Sequence, residues 1–215
     1  MADVATSTRA HATASEQYFL LADISGYSAF LSRVERVHGV DFSVGVPAGY
    51  EILAALLDVV VRGVQPMFTV LKIEGDAVFA VAPAIALDGM GEDVVGTLRA
   101  ATLAFRHIQR EQAATASDHL CTACPVAATL WLKMLLHRGL GVEVTGGSHA
   151  ELHGPAVNLV HRMLKNTVVS RTGPHPYLFV TDVAAAHLGV ASEGMQHRET
   201  YADAGDVTGR IVGLE

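Results

Sequence analysis

Two aspartates stand where carboxylates could do metal chemistry. Asp23 falls near the end of a short apolar run, Tyr18 to Ile24, that is followed by Ser25 and Gly26. Asp76 ends the segment Lys72-Ile73-Glu74-Gly75-Asp76, which separates the apolar runs Met67 to Leu71 and Ala77 to Ala82. Carboxylates at the tips of adjacent strands can share hard cations, because Mg²⁺ takes oxygen ligands and usually couples one or two carboxylates to substrate phosphates. Either aspartate alone reads as a turn or cap residue; together they define a candidate metal site. Glu74 reads as a solvated charge at a hairpin tip or as an extra metal or base contact. Asn158 and Arg162 are four residues apart, which puts them on one helix face. His161 beside them reads as a hydrogen-bonded packing histidine or as a proton shuttle. Cys121 and Cys124 have the two-residue gap that lets two thiolates reach one Zn²⁺, with His119 and His137, or a partner subunit, as the source of further ligands. The same pair is compatible with a thiol redox motif and with an inert reduced loop.

The elements that must position these groups follow from apolar spacing. Tyr18 to Ile24 has the length and boundary of a buried strand. Tyr27, Phe30, Leu31 and Val34 repeat at helical spacing, and Pro47 opens a second helix to about Arg62 with Ile52, Leu56 and Val60 on its buried stripe. The two runs around Lys72 to Asp76 predict a hairpin. A helix over about 92–112 comes next, then the cysteine loop. Strands at about 127–137 and 140–144 are expected to pair through Arg138-Gly139 as a second hairpin. Pro155 opens a helix with Val157, Val160 and Leu164 on one face, 177–180 is a strand, and 198–214 is a final hairpin. This order predicts one α+β sandwich, a mixed and mainly antiparallel sheet with helices, over residues 17–215. Residues 1–16, rich in Ala, Thr and Ser, read as a disordered leader.

Composition narrows the partners. A formal charge of -7 without a Lys/Arg cluster argues against nucleic-acid binding, whose affinity comes from clustered cations. It remains compatible with a nucleotide site, since a bound divalent metal supplies positive charge. No apolar stretch reaches the roughly 18 residues needed to span a bilayer. No secretory signal is apparent, and two cysteines are too few for the disulfide framework of a secreted domain of 215 residues, so a cytoplasmic location is expected.

Three motifs carry a family resemblance. Leu21-Ala22-Asp23-Ile24-Ser25-Gly26-Tyr27 resembles the "FADI(S/V)GF" motif of class III nucleotidyl cyclases, and Lys72-Ile73-Glu74-Gly75-Asp76-Ala77 resembles their "KxxGDA" hairpin. Glu151 to Arg162 resembles the family segment "D-x-x-G-x-x-V-N-x-x-x-R", and His137-Arg138-Gly139 a weaker "H-x-G" turn. His161-Arg162-Met163-Leu164-Lys165-Asn166 is further similar to an "HRLLKN"-like helix of an uncharacterised bacterial subgroup.

The resemblance implies a ferredoxin-like cyclase catalytic domain that converts ATP to cyclic AMP and pyrophosphate. Asp23 and Asp76 would hold two Mg²⁺ or Mn²⁺ ions with help from the Ile24 carbonyl, Asn158 would orient the ribose, and Arg162 would stabilise charge on the transferred phosphoryl group. Lys72 and Glu151 fall where such cyclases read the base, and favour adenine through an ammonium donor and a carboxylate acceptor. The family builds each site from two subunits, which implies a homodimer. Its triphosphate lysine has no counterpart between Tyr201 and Leu214, where Arg210 is the only cation; Arg210, Arg198 or Lys165 would have to substitute. The alternative is a catalytically inactive nucleotide sensor or a partner-binding module.

Overall fold

The computed structural model describes residues 11–39, 42–43, 45–115, 124–146 and 149–215. Its centre is β1 (His11–Ser25), flanked by β3 (Ala77–Pro83) and β4 (Trp131–Gly146), both antiparallel to it. β2 (Thr69–Glu74) forms the expected hairpin with β3, with Gly75 supplying the positive φ of 63° in the turn. β6 (Tyr177–Thr181) runs parallel to β4, β8 (Gly205–Gly213) follows, and β7 (Met195–Tyr201) closes the edge. β5 (His149–His153) pairs with the far end of β4, completing an eight-stranded sheet ordered β2-β3-β1-β4-β6-β8-β7 along its main path.

Alternation along β1 sends side chains to two cores, because successive residues of a strand point to opposite faces. Tyr18, Leu20, Ala22 and Ile24 face α1 (Tyr27–His38), α2 (Ala48–Val64) and α4 (Gly91–Thr115), which contribute Phe30, Leu56, Leu98 and Phe105. Phe19 and Leu21 face α5 (Pro155–Arg162) together with Phe79, Leu135 and Phe179. Burying a Leu or Phe side chain contributes about 1.5–3 kcal/mol, so both layers are held by their apolar faces. The short helices α3 (Ala84–Leu87), α6 (Val168–Thr172) and α7 (Asp182–Leu188) complete the described α-helices. Among the described residues, no helix is long and apolar enough to cross a membrane.

Two expectations about boundaries change. His11 to Glu16, read as the end of a leader, are the first residues of β1, paired from His11 with Thr145 to Glu16 with Leu140; residues 1–10 lie outside the described residues. Arg138-Gly139 is no hairpin turn, since β4 runs through it without a break. Gly139 serves close approach instead: a Cβ there would lie 2.9 Å from the Ala156 Cβ, so its absence lets α5 sit down on the sheet. The hairpin in this region joins β4 to β5.

Candidate functional site

The end of β1 carries the first group of candidates. Asp23 shares its face with Leu21 and Phe19, opposite Ala77 on one side and Lys133 on the other. Ile24 N–H donates to the Asp76 carbonyl at 3.1 Å, which ties the hairpin turn to the strand end. Burial, and then the charge of Asp23, push the Asp76 carboxyl above its ordinary value, so the two carboxylates are close enough to repel. Lys133 answers that charge. Its Nζ lies 3.0 Å from Asp23 Oδ2 and donates to the Leu164 carbonyl at 3.2 Å. The signal for Lys133 was a lone cation inside the apolar run Leu132 to Leu136. Among the described residues no three His, Cys, Asp or Glu side chains gather as a metal cluster. The donor set therefore consists of two repelling carboxylates and backbone oxygen, which suits a hard divalent ion that takes its remaining ligands from phosphate and water.

The β2–β3 hairpin joins α5 through Glu74. Its Oε1 accepts from Lys72 Nζ at 2.6 Å and its Oε2 lies 2.9 Å from His161 Nε2. His161 Nδ1 faces the Val157 carbonyl at 2.8 Å, so the ring is held between the Glu74 carboxylate and the backbone of α5. The ring also packs on Phe79, 4.9 Å between centroids. Burial by itself would raise the Glu74 carboxyl, but Lys72 and His161 outweigh it and hold it below its ordinary value. Glu74 is thus a bridge between sheet and helix rather than a solvated tip charge.

Pro155 at the first turn starts α5, and its apolar residues Ala156, Val157 and Val160 are buried against the sheet. Asn158 and Arg162 consequently face outward together. Both line an open cleft of about 600 Å³ with His137, Leu140 and Pro155, and a neighbouring one of about 620 Å³ with His161, Lys165 and Tyr201. Neither of these clefts is lined by Asp23 or Asp76. Arg162 Nη1 lies 2.5 Å from Asp203 Oδ2, in the β7–β8 turn. The "HRLLKN"-like segment is not one helix: α5 ends at Arg162, Met163–Lys165 is a 3₁₀ turn, and Asn166 is extended.

The remaining candidates are placed apart. Arg210 shares a strand face with Val212 and pairs with Val180, both in the core on the α2 and α4 side of the sheet, whereas Ile211 belongs to the core on the α5 side. The register thus puts Arg210 on the far side of the sheet from Asn158 and Arg162. Arg198 pairs with Asp206 at 3.2 Å. Lys165 is the cation that shares a cleft with Asn158 and Arg162. Glu151 is exposed on β5, 3.7 Å from His153, and lines a different cleft with Thr69 and Leu71, while Lys72 is held by Glu74. His119 and Cys121 lie outside the described residues, as does the side chain of Cys124.

Known proteins share this arrangement of elements. The adenylyl cyclase CyaB from P. aeruginosa superposes with a TM-score of 0.61 at 14% identity, over 94% of this chain and 96% of that one. The guanylyl cyclase Cya2 gives 0.62 at 13% identity, over 94% of each chain. At such identities the likeness is one of fold, and the fold is the α+β sandwich of nucleotidyl cyclase domains. In sequence, the uncharacterized protein Rv2561/Rv2562 of Mycobacterium tuberculosis is 36% identical over 138 residues, 63% of this chain. The chain spans 60% of the length of that relative. Residues 53–172, more than half of the chain and including the Asp76 hairpin and α5, match the family model described as a protein of unknown function, DUF2652, and the chain belongs to that family.

Proposed function

We propose that the protein is a nucleotidyl cyclase of class III type that forms cyclic AMP and pyrophosphate from ATP at a homodimer interface. The observation that carries this reading is the proximity of Asp23 and Asp76 at one sheet end, where Ile24 N–H ties the Asp76 turn to β1, while Asn158 and Arg162 line a cleft on α5. In this reading a second copy related by two-fold symmetry would supply each half-site with the other. Asp23 and Asp76 would hold two Mg²⁺ or Mn²⁺ ions, with the Ile24 carbonyl assisting. Bound there, the metals would supply Lewis-acid neutralisation of the triphosphate.

The chain's own groups then have defined work. Asn158 positions the ribose so that its 3′-oxygen faces the α-phosphorus. Attack by that oxygen forms the cyclic ester, releases its proton to solvent, and breaks the bond to the leaving pyrophosphate. Arg162 stabilises the charge developing on the α-phosphoryl oxygens, and Lys165, in the same cleft, takes the triphosphate role for which Arg210 is misplaced. Lys72 donates to the base, with its ammonium shared by Glu74. A cytoplasmic location suits an ATP-dependent reaction of this kind.

The second reading is a nucleotide sensor without turnover. It is favoured by Asp203, a carboxylate on Arg162 in the hairpin where the family carries its triphosphate lysine. Mass spectrometry of products from the four ribonucleoside triphosphates with Mn²⁺, run beside Asp76→Ala, separates the two. A cyclic nucleotide that disappears in the variant supports the cyclase and names its base. Absence of product together with a metal-dependent thermal shift by nucleotide replaces it with the sensor. No product and no thermal shift leaves a partner-binding module.

A further inference from the structure

The two clefts beside α5 share Asn158, Arg162 and Asp203 as lining residues. The Arg162–Asp203 ion pair is therefore the bar between two lobes of one recess. One lobe is largely apolar, with Leu140, Pro155, Ala156 and Leu159. The other carries Lys165, His161 and Tyr201. An apolar lobe joined to a cationic one fits a ligand with a flat apolar part and an anionic tail, yet the best anion seat between them is filled by the chain's own carboxylate.

We propose that Asp203 is an internal competitor for the anion seat of Arg162, which the phosphate chain of a nucleotide must displace before both lobes can be occupied together. This rests on the nucleotide reading above and adds to it a residue that sets affinity. The pair is exposed, 38% at Arg162 and 68% at Asp203, so it adds little to folding and is free to exchange. The turn has its own backbone closure, Ala204 N–H to the Tyr201 carbonyl at 3.2 Å, and does not need the side chain to hold its shape. A phosphate oxygen offers the guanidinium the same charge-assisted contact with more negative charge, and Lys165 in the same cleft gives a phosphate chain a second cation. The empty protein is accordingly held in a low-affinity form.

The test is calorimetric titration of the full chain and of Asp203→Asn, Asp203→Glu and Arg162→Ala with inorganic tripolyphosphate and with a non-hydrolysable ATP analogue plus Mn²⁺. Asp203→Asn is expected to bind both probes roughly five- to tenfold more tightly, Asp203→Glu to stay near wild type, and Arg162→Ala to lose the gain when combined with Asp203→Asn. Nucleotide binding by wild type that is unchanged or weakened in a stably folded Asp203→Asn overturns the competitor and leaves the nucleotide reading standing. Tighter tripolyphosphate binding with no nucleotide binding keeps the competitor and overturns the nucleotide reading. Binding of neither probe by any variant overturns both. Melting curves without ligand verify that Asp203→Asn is folded, and a variant that unfolds is replaced by Asp203→Ser under the same criteria.

Discussion

Lys133 Nζ sits 3.0 Å from Asp23 Oδ2 with both side chains mostly buried, 15% and 14% exposed. The ammonium balances the charge of Asp23, whose charge in turn acts on Asp76. Removing one partner of such a pair leaves a charge without compensation in poor solvent. Lys133→Met is expected to lower stability by about 3 kcal/mol in chelator, and Mn²⁺ is expected to recover part of that loss. Urea denaturation of both proteins with and without Mn²⁺ checks this, and an equal deficit in both conditions would separate Lys133 from the proposed metal site.

Gly139 is a point of close approach between β4 and α5. The methyl of Gly139→Ala would meet Ala156 Cβ at 2.9 Å, and the helix carrying Asn158 and Arg162 would have to move. A cost of about 1–3 kcal/mol is expected, with a larger proportional loss of nucleotide affinity than of stability. Gly146→Ala is the control, because a Cβ there meets nothing within 4 Å. Denaturation midpoints and nucleotide titrations of both variants report the two effects.

His137 is part-buried on β4, its Nδ1 3.0 Å from Thr181 Oγ1, and desolvation pushes its imidazole down to about 4. In the unfolded chain the ring takes up a proton near pH 6.5, so between about pH 6.5 and 4 the unfolded state binds more protons. Stability from this residue is therefore complete above the unfolded value and falls with pH through that window, by about 3 kcal/mol at most. His137→Gln should flatten this part of the pH profile. Denaturation at pH 7.5, 5.5 and 4.5 measures it, and parallel profiles for the two proteins would show that another group is responsible.

Glu199, 6% exposed, gathers the segment that follows Lys165. Its Oε1 accepts from the Thr167 N–H at 2.6 Å, the Thr167 hydroxyl at 2.8 Å and His197 Nε2 at 2.6 Å. Burial would raise this carboxyl, but those donors hold it below its ordinary value, so its contribution is present above the unfolded value and is lost as acid protonates it. Glu199→Gln keeps the shape and removes the charge, at an expected cost of about 2 kcal/mol by thermal or urea unfolding. A variant as stable as wild type at neutral pH would show that charge is unimportant there.

The sequence by itself determined the elements whose pattern is local. The apolar run before Ser25-Gly26, the polar turn around Gly75, Pro155 opening α5 and the final hairpin all stand where periodicity and turn chemistry put them. It also determined that Asp23 and Asp76 fall at strand ends and that Asn158 and Arg162 share a helix face. Tertiary structure alone decided the partners. Strand register, set by pairings far apart in sequence, brought Lys133 to Asp23 and sent Arg210 to the wrong side of the sheet. Long-range packing brought His161 to the Glu74 that Lys72 already pairs with locally, left Glu151 elsewhere, and set Asp203 on Arg162. It also let β4 pass straight through Arg138-Gly139, because fifteen paired residues of β1 and the close approach of α5 outweigh one glycine's preference for a turn.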